Sequence, residues 1–160
     1  MDKLTLSEVN IILVEPSETQ RNIILKQLAA SDIHQVEAVG NVEQALQAIT
    51  KHGADLVVSA MYLEDGTGLD IIKQIKLDPT LSATPFMLVS SENRVEKLEE
   101  FKQSGVAAIL PKPFTSENLT KALKASLDLI NEQLTSLKAD AETIYDANNA
   151  DPDALTNAIA

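Results

Sequence analysis

Short apolar runs alternate along this chain with segments of helical spacing, and this alternation limits its fold more than any other feature. The runs are rich in β-branched and aliphatic residues, as expected for strands that are buried on both faces of a sheet. They cover residues 9–14, 35–39, 55–59, 86–90 and 107–110. Because a helix after each strand returns the chain to the same edge of a sheet, strict alternation predicts a parallel α/β sheet.

Residues that commonly begin and end helices mark the segments between the strands. Ser17, Asn41 and Ser116 are predicted as N-caps, since their side-chain oxygens can accept from free N–H groups of a first turn. Gly53 is predicted to end the second helix, and residues 68–77 form the third. We therefore predict a flavodoxin-like, doubly wound, five-stranded sheet with strand order 2-1-3-4-5 and helices on both faces.

Composition excludes several classes of protein. The chain has no Cys, which excludes disulfides and thiolate-ligated metal sites. Its 24 acidic and 13 basic residues give a net charge of −11, so a phosphate backbone would be repelled and no nucleic-acid partner is expected. The apolar runs are too short to span a membrane, and the N-terminus lacks the pattern of a signal peptide. These features predict a cytoplasmic protein that has no membrane association.

Ligand sites in open parallel sheets lie at the carboxyl ends of the strands. In this chain the predicted strand ends carry Glu15, Ala60, Ser90 and Lys112. Ala60 stands where the buried run DLVVS leads into the Gly-rich, acidic loop MYLEDGTG, and its methyl group can perform no chemistry. The sequence therefore has the pattern of a ligand site at this strand end, but the residue at its centre is chemically inert.

The segment GVAAILPKPFT, residues 105–115, resembles the end of the fifth strand in receiver domains of bacterial two-component response regulators, the family of the chemotaxis response regulator. The resemblance covers roughly residues 9–130 and implies a receiver-like domain over residues 1–131. It also implies a cis peptide bond at Lys112–Pro113. In that family two acidic residues hold magnesium, an Asp accepts a phosphoryl group, and a hydroxyl and a Lys contact the phosphoryl oxygens.

Only part of that set is kept in this chain. Glu15 matches the first acidic residue, but Pro16 stands in place of the second, and Ala60 stands in place of the acceptor. Ser90 and Lys112 match the hydroxyl and the Lys. The resemblance therefore implies a degenerate phosphoacceptor pocket without metal or cofactor, in a non-enzymatic signalling module that acts through protein partners without phosphorylation.

Other interpretations of the same region stay open. Asp65 or Glu64 lies a few residues after Ala60 and could accept the phosphoryl group, although the sequence EDGTG also explains both as turn residues. Lys112 is expected to pair with Glu15 across an otherwise empty pocket. The aromatic position that swings inward on activation in the family matches Ile109.

The chain continues beyond the receiver-like region as a predicted helical extension or linker, residues 132–160. From the end of the receiver-like region into this extension, apolar residues recur in steps of four and three, the heptad pattern of a helix that pairs with another helix. The series comprises Leu123, Leu127, Ile130, Leu134, Leu137, Ala141 and Ile144. We predict an extended fifth helix and a homodimer. A separate alternative function for the chain is an oligomerisation scaffold built on this helix. Alternatively, the stripe packs on its own domain, or a terminal helix beginning at Asp151 and Pro152 folds back over it.

Overall fold

A computed structural model describes residue 5 and residues 8–132. Within this part, a five-stranded parallel sheet has the order β2-β1-β3-β4-β5, which confirms the predicted topology. The strands are β1 Ile11–Val14, β2 Val36–Val39, β3 Leu56–Ala60, β4 Phe86–Ser90 and β5 Ala108–Pro111. The helices are α1 Glu18–Ala30, α2 Val42–His52, α3 Gly68–Leu77, α4 Val95–Gln103 and α5, residues 116–132.

The predicted N-caps are right for two helices and wrong for the third. Ser17 Oγ accepts from the N–H of Gln20 at 3.3 Å, and Asn41 Oδ1 accepts from that of Gln44 at 2.8 Å. At α5 the cap is Thr115 and not Ser116. Thr115 and Asn118 exchange two hydrogen bonds of 3.1 Å, each side-chain oxygen accepting from the other residue's N–H. This reciprocal pairing selects the threonine, because it satisfies two free donors at once.

The sheet separates two apolar clusters, so helices cover both of its faces as predicted. One cluster packs α1 and α5 against the sheet, and their buried residues include Ile24, Leu28, Leu119, Leu123 and Ile130. The other packs α2, α3 and α4 on the opposite face, with Ala45, Ile49, Ile71, Ile75 and Phe101. None of the helices in the described part combines the length and apolar character that crossing a membrane requires.

The first part of the predicted dimer seam belongs to the core of the domain. Leu123 and Ile130 are 2% and 7% exposed, and Leu127 is partly buried against the same cluster. Leu123 and Ile130 are therefore unavailable to a second copy, which corrects the prediction that the whole series forms a dimer seam. Leu134, Leu137, Ala141 and Ile144 lie outside the described residues, as do residues 133–160 as a whole, including the proposed fold-back.

A close approach between β3 and α3 fixes the loop that follows the sheet edge. The N–H of Gly68 donates to the carbonyl of Met61 at 2.8 Å. A Cβ at this position would lie 2.9 Å from the carbonyl oxygen of Ala60 and 3.4 Å from the ring of Phe86. Glycine thus allows α3 to begin directly beside the end of β3, and the intervening residues form a short hairpin, Tyr62–Leu63 paired with Gly66–Thr67.

Candidate functional site

The carboxyl ends of four neighbouring strands bring the predicted site residues to one edge of the sheet. Ala60 is the last residue of β3 and pairs in register with Val89, the neighbour of Ser90 at the end of β4. Glu15 and Lys112 are the first residues after β1 and β5. The strand order therefore assembles the pocket that the sequence suggested, with Pro16 beside Glu15.

A single ion pair crosses this pocket from β1 to β5. Lys112 Nζ lies 3.3 Å from Glu15 Oε1, as the sequence led us to expect. The Glu15 side chain is only 5% exposed and that of Lys112 is 25% exposed. The second carboxylate oxygen of Glu15 accepts from the N–H of Ser17 at 3.4 Å. Each charge thus has a partner inside the protein, which a buried carboxylate requires.

Ser90 is engaged in local contacts on the other side of the pocket. It is 6% exposed, and its Oγ accepts from the N–H of Glu92 at 2.9 Å. The hydroxyl donates to Met61 Sδ at 3.8 Å, a weak bond to a thioether that is itself buried. Ser90 therefore caps the turn after β4 and packs against the residue that follows Ala60.

The fifth strand places the remaining predicted residues. The peptide bond between Lys112 and Pro113 is cis, in agreement with the prediction. Ile109 pairs with Leu88 in the sheet and packs, partly buried, in the apolar cluster beneath α2, α3 and α4. An aliphatic side chain therefore occupies the position at which the resemblance implied a movable aromatic.

Residues 11–124 match the family model described as the response regulator receiver domain. This chain belongs to that family. It is 28% identical over 134 residues to chemotaxis protein CheY-3 of Vibrio cholerae, which covers 84% of this chain and 100% of CheY-3. It is 25% identical over 120 residues to the two-component response regulator ORR8 of Oryza sativa, with 74% and 98% of the two chains covered.

Solved receiver structures share the fold. The chemotaxis response regulator CheY4 of Vibrio cholerae superposes with a TM-score of 0.68 at 25% identity, covering 74% of this chain and 98% of that one. A putative response regulator from Chloroflexus aurantiacus gives a TM-score of 0.71 at 20% identity, covering 75% and 98%, a likeness of fold alone. The receiver assignment and the sheet topology are thus both confirmed.

A magnesium ion, which the receiver family implies, does not fit the residues at this edge. Magnesium prefers several hard oxygen ligands in an octahedral arrangement. Glu15 is the one carboxylate among the five matched positions, and one of its oxygens already faces the ammonium of Lys112. Across the described ranges, no three His, Cys, Asp or Glu side chains are grouped closely enough to hold a metal ion.

Asp65, the alternative acceptor, has a structural role in this receiver domain. Its Oδ1 accepts from the N–H of Val42 at 2.8 Å, and its Oδ2 accepts from that of Glu43 at 3.1 Å. These are the first two residues of α2, so Asp65 and Asn41 together satisfy the free donors of its first turn. The sequence could not reveal this cap, because Asp65 lies 23 positions after Val42 and 22 positions after Glu43, whereas cap motifs are recognised from neighbouring residues.

The same contact determines how Asp65 titrates. The N–H of Val42, more than any other group, lowers the pKa of the Asp65 carboxyl below its usual range. A carboxyl whose pKa is lowered by folding stabilises the native state above its unfolded pKa, and that contribution is lost as the pH falls. At neutral pH Asp65 is therefore ionised and held at the start of α2. Glu64, its neighbour, is exposed.

A polar cluster beside the pocket was missed by the sequence analysis. Glu92 Oε1 accepts from Arg94 Nε at 2.8 Å, and Glu92 Oε2 accepts from the Tyr62 hydroxyl at 2.8 Å. Hydrogen bonds from the Arg94 side chain, before those from any other group, hold the pKa of Glu92 well below its usual range. The cluster joins the hairpin after β3 to the loop after β4. In the sequence, the cluster is marked only by Glu92 and Arg94, two positions apart, and such pairs are too common to predict a site.

Proposed function

We propose that this receiver domain is a signalling module that acts by protein–protein interaction and independently of phosphorylation. The observation that carries the proposal is Ala60 at the end of β3, where the family pattern requires a carboxylate. An acyl phosphate forms on a carboxylate oxygen, and a methyl group has no atom that can attack phosphorus. The domain then signals by the surface that it presents and not by a change of covalent state.

Two further features of the pocket support this function. Pro16 removes the second acidic ligand, so magnesium could not be held in the way that phosphoryl transfer requires. Glu15 and Lys112 already satisfy each other at 3.3 Å, so the ammonium group is occupied without a phosphoryl oxygen. The pocket thus lacks the acceptor and one metal ligand, and its two charged residues pair with each other. These features support a structural role for the pocket.

The surface formed by α4, β5 and α5 is the part of the domain that we propose as the partner-binding face. Val95 at the start of α4 is 73% exposed, and charged residues occupy most of the remaining outer side of this helix. The net charge of −11 favours a protein partner over a nucleic acid.

The competing function is phosphorylation of Asp65 or Glu64 in place of a carboxylate at position 60. The contacts of Asp65 make this function less favourable. Asp65 would have to leave the first turn of α2 to reach phosphorus, which would expose two N–H donors. Unpaired donors at a helix start cost free energy, so phosphorylation there would oppose folding of α2. Glu64 is exposed and lies in the same hairpin as Asp65, whose ends are joined by the bond from the Gly68 N–H to the Met61 carbonyl.

A homodimer remains part of the proposal, restricted to the distal half of the heptad series. Leu134, Leu137 and Ile144 continue the pattern of α5 beyond the residues that are buried in the core. Light scattering on the full chain should give twice the monomer mass, and Leu134→Ser with Leu137→Ser should return it to the monomer. Leu77→Ser, at a 76% exposed leucine of α3, is the matched control. A natural chain that is monomeric would end the dimer proposal without affecting the pocket.

Beryllofluoride with magnesium tests the function of the pocket directly, because this complex stands in for a phosphoryl group on a receiver carboxylate. We expect the amide NMR spectrum of the natural chain to stay unchanged when both are added. Shifts centred on the ends of β3, β4 and β5 would mean that the pocket still holds a phosphoryl-like group and would overturn the proposal.

A further inference from the structure

We propose that Tyr62, Glu92 and Arg94 form a conformational lock that ties the hairpin after β3 to the loop after β4 and fixes where α4 begins. Its influence on partner binding rests on the function proposed above, whereas the lock itself is a property of the isolated chain. The lock does not require phosphorylation, since none of its three residues is among the five pocket positions that match the receiver family.

The carboxylate of Glu92 is the centre of this lock. Its Oε1 accepts from the backbone N–H of Arg94 at 3.0 Å and from Arg94 Nε at 2.8 Å. Its Oε2 accepts from Arg94 Nη2 at 2.9 Å and from the Tyr62 hydroxyl at 2.8 Å. Hydrogen bonds to a charged group are shorter and stronger than neutral ones, and two of these form a bidentate pair with one guanidinium.

Burial distinguishes this cluster from an ordinary surface ion pair. The Glu92 side chain is only 8% exposed, although that of Arg94 is 56% exposed and Tyr62 is 55% exposed. The carboxylate is thus largely covered, although both of its partners are themselves more than half exposed. A shielded carboxylate with four donors holds its geometry better than an exposed pair, which competes with solvent.

Apart from the lock, the first turn of α4 is held to the domain mainly by Leu98, which packs partly buried against the core. Arg94 is the N-cap residue of α4, and its side chain makes no capping bond to the helix. Within α4, which the structure describes throughout, Phe101 alone is buried, and it lies in the second half of the helix. Val95, the first helical residue, is 73% exposed and provides no apolar anchor. The bonds that Glu92 accepts therefore fix the N-cap residue, directly before the first turn.

The lock also reaches the pocket. Ser90 Oγ accepts from the N–H of Glu92 at 2.9 Å, so the residue at the centre of the lock is bonded to the end of β4. The loop of residues 91–94 cannot move relative to the hairpin without breaking the bond from the Tyr62 hydroxyl to Glu92, while the bonds between Glu92 and Arg94 keep the loop itself in one shape. In this domain the arrangement of α4 is thus set by side chains of the chain itself.

Hydrogen exchange of the full-length chain, measured by mass spectrometry with no phosphodonor present, tests the lock. In Glu92→Gln we expect amides in residues 91–98 to exchange about tenfold faster, because the bonds to a charged group are lost there. Tyr62→Phe removes one of the four bonds and should produce a smaller acceleration in the same peptides and in the hairpin. Amides of β1 and α1 should keep their natural rates in both variants.

Glu99→Gln serves as the matched control, because it neutralises an exposed carboxylate of α4 that lies beyond the first turn and outside the cluster, and it should leave residues 91–98 unchanged. Natural rates in residues 91–98 of Glu92→Gln would overturn the proposal. Equal acceleration throughout the domain would overturn it as well, because it would indicate a general loss of stability. The outcome is independent of phosphate acceptance, so failure of the lock and failure of the proposed function are distinguishable.

Discussion

A chain carrying Ala60→Asp together with Pro16→Asp is expected to become labelled by a small phosphodonor in the presence of magnesium, whereas the natural chain remains unlabelled. The first change supplies a carboxylate oxygen at the end of β3, beside Ser90. The second restores an acidic residue next to Glu15, so that three carboxylates could share a magnesium ion. Intact-mass spectrometry would measure the fraction of chains that gain one phosphoryl group.

The single variant Ala60→Asp separates the effect of the missing acceptor from that of the missing metal ligand. With the acceptor restored and Pro16 unchanged, labelling should be slower than in the double variant by about tenfold or more, because a metal ion contributes several kcal/mol of charge stabilisation. Pro16→Asp alone should show no labelling, since Ala60 still lacks a nucleophile. If the folded double variant remained unlabelled, the proposal that Pro16 and Ala60 are what prevents phosphorylation would be wrong.

Phe86→Ala is expected to remove a large part of the stability of the domain. Phe86 is 1% exposed at the start of β4 and is the largest of the fully buried side chains in the described part of the chain. Replacing a buried phenylalanine by alanine costs about 3–5 kcal/mol, of a total that is typically about 5–15 kcal/mol. Urea denaturation followed by circular dichroism should show the midpoint falling by roughly 2 M.

Phe114→Ala provides the comparison for that measurement. Phe114 follows the cis peptide bond and is only partly buried against the cluster that packs α1 and α5. Its removal creates a smaller cavity, and the urea midpoint should fall by less than half as much. Equal shifts in the two variants would contradict the placement of Phe86 at the centre of the core beneath α3.

The fold could be predicted from the sequence because the alternation of strands and helices repeats over most of the chain. The residues of the pocket could be located for a related reason, since each of them ends or follows a strand. Strand order then brings Glu15 and Lys112 to within 3.3 Å, although 97 positions separate them in the chain. Because the order of regular strands is predictable, local sequence patterns were sufficient to predict this contact between distant residues.

Other features depend on contacts that have no local signal. Asp65 caps α2 from a separate hairpin, so its neighbours in sequence suggested only a turn. Thr115 and Ser116 are both good N-cap residues, and the bond to Asn118 decides between them. Leu123 illustrates a different ambiguity, because an apolar stripe of helical spacing has the same pattern whether it faces the core of its own domain or a second chain.

The most direct test of the account is the intact mass of the natural chain after incubation with a small phosphodonor and magnesium, with the Ala60→Asp, Pro16→Asp double variant as the positive control. We expect the natural chain to keep its original mass under conditions that label the double variant. A stoichiometric gain of one acid-labile phosphoryl group by the natural chain, mapped to Asp65, Glu64 or any other carboxylate, would contradict it.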